Sequence, residues 1–163
     1  MAQRSGRLRR ALGVLAVLLL VGGARTAAGT EAVATAQATL RQIPLRLVTT
    51  RRSHRLVVEV AASPREQQIG MMFRTVLPQG RGMLFPFATP RPLSFWMEKT
   101  VISLDLVFIG ADRRVVSVSP RATPLSSALI SSPGPAIAVL EIAAGEAARI
   151  GLQAGDRVEY TLP

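Results

Sequence analysis

Polar and apolar positions alternate with a period of two through much of the chain after residue 40. Ile43, Leu45 and Leu47 fall on one face of the run IPLRLVT, and Leu56–Ala61 repeats the strand character, so the two predict a β-hairpin across the basic turn 51–55. Pro44 places the first strand at an edge or near its start, because proline donates no ladder hydrogen bond. Ser63-Pro64-Arg65-Glu66 then changes the pattern. A hydroxyl N-cap, proline at the first helical position and glutamate three residues after the cap predict a short helix to about Met72.

Further strands are predicted over 82–87, 94–97, 104–109, 115–119, 136–142 and 157–162, with a second short helix over 144–150. Between them, residues 120–135 carry Pro120, Pro124, Pro133 and Pro135 with several serines, and predict a long loop. The sum is a mainly β fold. About eight short strands and two short helices are expected in one compact barrel-like or sandwich domain over residues 40–163.

The N-terminus has another pattern. Arg4, Arg7, Arg9 and Arg10 precede an apolar run over 11–21 broken only by Gly13, and small residues follow around Thr26-Ala27-Ala28. This is the layout of a cleavable signal peptide over residues 1–28. The apolar stretch is shorter than the ~20 residues that span a bilayer, so no membrane span is expected after cleavage. Arg9-Arg10 gives only weak support to a twin-arginine signal. The alanine-rich residues 29–39 read as a flexible linker, and the expected location is periplasmic or secreted.

Charge and composition narrow the chemistry. The formal charge of +10 falls by half when the five leader arginines are removed. The remaining arginines are scattered except at Arg51-Arg52-Ser53-His54-Arg55, so nucleic acid is not an expected partner. Cysteine is absent, which removes disulfides, thiolate metal sites and cysteine nucleophiles. No Gly-x-Ser-x-Gly element or phosphate loop is present, and His54 is the sole histidine. In a basic turn, His54 is expected to be exposed and incidental.

The densest chemistry lies in residues 82–109, GMLFPFATPRPLSFWMEKTVISLDLVFI, which hold Phe85, Phe87, Phe95, Trp96 and Phe108 together with Met83, Met97, Thr100 and Asp105. With Glu66, the run Gly70-Met-Met-Phe-Arg74, Val139-Leu-Glu141, Ala144-Gly145 and Gly155-Asp156-x-Val158, this segment resembles the "domain of unknown function 192" family in order and spacing, from about Leu56 to the end. Met71 stands where that family more usually has leucine. The resemblance implies a mostly β, barrel-like domain with short helices, often exported in bacteria, and implies no established activity.

Arg74, Trp96, Thr100, Asp105 and Glu141 are the candidate ligand-site residues. Asp105 and Glu141 each interrupt an apolar strand. Alternation with Leu104 and Leu106 predicts that Asp105 faces solvent, and either carboxylate could pair with Arg74. Trp96 lies between Phe95 and Met97, where a core position is the simpler expectation.

Three functions follow. The first is a non-catalytic envelope module, expected as a monomer without a cofactor, that binds a small molecule or an envelope protein. The second is a hydrolase or lyase of envelope material with Asp105 and Glu141 as acid and base. The third is copper handling through Met71, Met72, Met83 and Met97. Methionine also fills cores, and no tight methionine–histidine motif supports the third.

Overall fold

A computed structural model describes residues 35–162, so the proposed leader lies outside the described residues. Among these residues nine strands and two helices follow one another: β1 (Gln42–Val48), β2 (Ser53–Val60), α1 (Pro64–Ile69), β3 (Arg81–Arg91), β4 (Ser94–Phe95), β5 (Leu104–Ile109), β6 (Val115–Ala122), β7 (Ile130–Ser131), β8 (Ala136–Ala143), α2 (Glu146–Ile150) and β9 (Arg157–Tyr160). Among the described residues no helix is long and apolar enough to cross a bilayer.

Seven strands form one sheet in the order β6-β5-β8-β3-β2-β1-β9, and β4 pairs with β7 in a separate ribbon. The sheet is mixed: β2 and β3 run parallel, and the other pairs in it are antiparallel. Its outermost strands meet at an isolated bridge, Arg114 to Arg157. That contact is too short to close a barrel, and the sheet folds over as a sandwich-like body.

The predicted hairpin is present, with Leu45 opposite Leu56 and Leu47 opposite His54. Pro44 lies on β1 just beyond the segment that pairs with β9, so its missing N–H interrupts no ladder there. His54 departs from expectation. The turn is tighter than predicted, with the Thr49 N–H donating to the Arg52 carbonyl at 3.0 Å, and His54 becomes a half-buried strand residue.

Strands β3, β5 and β8 are covered on both faces. One core gathers Leu45, Leu47, Leu56, Val58, Leu84, Val107, Ile109, Leu140, Ile142 and Val158 with the apolar side of α2. The other holds Met71, Met83, Phe85, Leu93, Met97, Leu104, Leu106, Phe108 and Val139. Side chains alternate between the two cores along each strand, which leaves no solvent face for β5. Asp105 is accordingly fully buried, against the expectation from alternation.

Gly82 sets the close approach of β3 to β8. A Cβ at this position would lie 2.6 Å from the Glu141 carbonyl oxygen and 3.1 Å from Ile142 Cγ2. The obstacle is backbone, so little can give. Gly82→Ala is expected to destabilise the domain by about 1–3 kcal/mol, read from chemical denaturation. A variant as stable as the parent would show that β3 and β8 can part without penalty.

Candidate functional site

Helix α1 forms where the sequence predicts it, though it ends at Ile69, three residues early. Ser63 Oγ accepts the Glu66 N–H at 3.3 Å, and Glu66 Oε2 accepts the N–H groups of Ser63 and Ala62 at 2.8 and 2.9 Å. The chain leaves the helix through Gly70 at φ 49°, where an added Cβ would meet the Phe85 ring at 3.2 Å. This turn carries Met71 into the second core and sets the helix against the sheet. The Gln37 amide donates to the Glu66 and Gly70 carbonyls at 3.2 and 2.8 Å, holding the preceding segment on the same helix.

Opposite α1 stands a flap. β4 pairs with β7, Ser94 facing Ser131 and Phe95 facing Ile130. The loop after β4 is tied to residues 125–126 by Met97 N–H to Ser126 O and Leu125 N–H to Thr100 O, at 2.9 and 3.0 Å. Phe73 N–H donates to Lys99 O at 2.9 Å and joins the flap to the turn after α1. The predicted 120–135 loop thus contains the extension of β6, the short strand β7 and these ties.

Between α1 and the flap lies a cleft of about 410 Å³, lined by Gln67, Met71, Met72, Phe85, Phe87, Phe95, Trp96, Glu98, Thr100, Leu129 and Glu141 among others. Its walls are apolar and aromatic. Phe95 meets Phe85 and Phe87 edge-on, with centroids 5.1 and 6.5 Å away. Trp96 is 49 % exposed at the mouth and is not the core anchor expected. Exposed Leu129 lies on the same lining, and exposed Leu125 precedes it in the chain.

Glu141 is the unusual group in this lining. It sits on β8, flanked by Met83 on β3 and Leu106 on β5, and is only 4 % exposed. Its Oε2 has no hydrogen-bond partner. Burial among apolar neighbours pushes the carboxyl up to about 8, so near neutral pH it is mostly a protonated acid that can donate. Thr100, buried in the same lining, adds a hydroxyl that donates to the Glu98 carbonyl at 3.5 Å.

The other two candidates lie elsewhere. Leu106 faces Glu141 across the β5–β8 ladder, so Asp105 projects from the opposite side of the sheet. There it accepts the N–H groups of Arg121, Gly145 and Ala147 at 2.8, 2.9 and 2.9 Å. Asp105 and Glu141 therefore share no cleft, and the acid–base pair is overturned: the sheet stands between them.

Arg74 pairs with neither. Its two Nη groups reach Glu59 Oε1 and Oε2 at 2.6 and 2.8 Å, and Leu40 N–H adds a third bond to Glu59 at 2.7 Å. Burial works to raise the Glu59 carboxyl. The Arg74 and Leu40 hydrogen bonds and the charges of Arg74 and Arg81 outweigh it, leaving Glu59 below its ordinary value. Sequence reasoning missed Glu59, although LVVEV interrupts an apolar strand with a carboxylate just as AVLEI does.

Met71, Met83 and Met97 are packed in the second core, while His54 sits on β2 outside it. Among the described residues no three histidine, cysteine or acidic side chains gather as metal ligands. A larger cleft of about 810 Å³ runs along β1, β2 and β9 beside Arg46, Arg55, Arg113 and Arg157. Arg46 pairs with Glu159 at 3.4 Å, and Arg113 lies 3.9 Å over the Tyr160 ring. The smaller cleft is the stronger candidate, because its floor carries a buried acid and its walls are nonpolar.

The chain resembles known proteins over most of this domain. A protein of unknown function from Novosphingobium aromaticivorans is 41% identical, with a TM-score of 0.73, over 85% of this chain and 99% of that one. A candidate transcription regulator from Sinorhizobium meliloti is 37% identical, with a TM-score of 0.74, over 76% and 97% of the two chains. No functionally curated protein matches. Residues 46–160 match the family DUF192, described as "Uncharacterized ACR", and the chain belongs to that family.

Proposed function

We propose that this is an exported, non-catalytic module of the cell envelope that binds a small molecule in the cleft between α1 and the β4–β7 flap. The observation that carries the reading is Glu141: a buried, unpaired carboxyl at the floor of an aromatic cleft. Leaving such a group without a partner is costly unless a ligand completes it. The cleft volume also falls in the range of small-molecule sites. Export rests on the charged and apolar pattern of residues 1–28.

The Sinorhizobium relative is described as a candidate transcription regulator, but no DNA-reading helix supports that role among the described residues of this chain. The described helices have six and five residues, too short to serve as a recognition helix in a groove. A protein partner is the second reading, supported by exposed Trp96, Leu125 and Leu129 on the flap.

Trp96 is the sole tryptophan, so its emission reports directly on the cleft mouth. Titration with phenyl compounds carrying an ammonium, hydroxyl or carboxylate group is expected to give a saturable change in emission for at least one class, with a rise in melting temperature. No response from any class would overturn the small-molecule reading. Cell fractionation with mass determination tests export, and a full-length protein confined to the cytoplasm would overturn it.

A further inference from the structure

Resting on that ligand-binding reading, we propose that the ligand is an organic ammonium ion, with an apolar or aromatic body held by the cleft walls and its charge countered by Glu141. Among the described residues, the ionisable side chains lining the cleft are Glu98 and Glu141, and no arginine, lysine or histidine accompanies them. Of the cations on the surrounding elements, Arg65 and Lys99 are exposed and outside the lining, and two others are already engaged. Arg74 is held by Glu59, and Arg91 lies 4.9 Å over the Phe87 ring at the exposed end of β3.

Around Glu141 itself, β3 contributes Met83, β5 contributes Leu106, and the adjoining core supplies Phe85 and Met71. From α1 comes Gln67, whose amide already donates to the Pro86 carbonyl at 2.8 Å. From the loop after β4 comes Glu98. None of these neutralises an ionised Glu141. An anionic ligand would meet two carboxyl groups, and a neutral one would leave Glu141 protonated. A cation turns the same burial into attraction, because charge pairs interact more strongly where water is excluded.

The aromatic walls favour the same class. Phe85, Phe87, Phe95 and Trp96 all line the cleft, and ring faces attract ammonium groups, most of all when these are desolvated. On binding, the Glu141 proton leaves to solvent and the carboxylate pairs with the ammonium. Affinity therefore rises with pH until Glu141 is ionised in the free protein, near 8. The slope approaches about tenfold per pH unit below that point.

The test uses benzyltrimethylammonium, whose charge does not titrate, with 2-phenylethanol and 3-phenylpropionate as neutral and anionic counterparts, in amine-free buffer with Trp96 emission as readout. Benzyltrimethylammonium is expected to bind at least about tenfold more tightly than either counterpart at pH 8, and to weaken markedly by pH 6. Glu141→Gln is expected to abolish both the preference and the pH dependence, and Glu98→Gln, at the more open end, to reduce affinity while leaving the pH dependence intact.

Binding of the alcohol or the carboxylate in preference to the cation would overturn the ammonium class while leaving the cleft as a ligand site. Absence of binding by all three would overturn the cleft reading as well. A pH dependence that survives in Glu141→Gln would remove Glu141 from its role. Should Glu141→Gln fail to fold, a pH-independent affinity in the parent and in Glu98→Gln would overturn the proposal equally.

Discussion

Replacing Asp105 by alanine is expected to cost about 3–5 kcal/mol of folding stability, among the largest losses available from one substitution in this domain. Asp105 issues from a strand covered on both faces and accepts three main-chain N–H groups, from Arg121, Gly145 and Ala147. Two of these open helix α2, whose N-cap, Gly145, provides no side-chain cap. Asp105 thus caps the helix from a strand distant in sequence and also secures the end of β6. Alanine leaves three donors without their acceptor and opens a small cavity.

Asn retains one acceptor oxygen but turns an NH2 group towards a remaining N–H, so Asp105→Asn should fall between alanine and the parent. Denaturant midpoints at constant slope measure the loss. A cost under about 1 kcal/mol for alanine would mean that water or local shifts satisfy all three donors, and would remove the remote-cap account.

Much of the backbone was legible because local chemistry dictates it. The Ser63–Glu66 capping box, Pro64 and the alternation of Ile43, Leu45 and Leu47 each specify their element without tertiary help. The orientation of Asp105 was misread for a physical reason. Alternation tells which residues share a face, but not whether the opposite face meets water. The run LDLVFI, apolar at every position but one, already carries the sign of a strand covered on both sides, and the Asp105 carboxylate is the exception that this burial requires to be satisfied.

The candidate site was legible by residue type but not by grouping. Trp96, Thr100 and Glu141 converge on one cleft, whereas Arg74 belongs with Glu59 and Asp105 with α2. Those pairings depend on which strands become neighbours, and the parallel β2–β3 contact has no local signal. The exposure of Trp96 depends on β4 finding β7 across more than thirty intervening residues. Two residues of strand in a proline-rich stretch do not announce such a pairing.

Glu141 should make the domain lose stability as the solution becomes more alkaline. Its carboxyl lies near 4.5 in the unfolded chain and is pushed up by burial to about 8 in the fold. Between those values the folded protein holds a proton that the unfolded chain has released, so stability falls as pH rises across that window and levels off above it. The whole span corresponds to a loss on the order of 5 kcal/mol. Glu59 acts in the opposite direction at lower pH: its depressed carboxyl adds stability above about 4.5, which is lost on acidification. Together they move the stability maximum to the acid side of neutrality.

Glu141→Leu, among Met83, Leu106 and Phe85, should abolish the decline and exceed the parent by about 2–4 kcal/mol at pH 8. Glu141→Gln should also flatten the profile but gain less, since its amide inherits an unpaired position. Urea denaturation at intervals from pH 5 to 9 gives both results. A pH-independent parent, or a leucine variant less stable than the parent at pH 8, would show that Glu141 has a partner in the folded protein. A stabilising leucine that also loses ligand would identify the acid as retained for binding at the expense of the fold.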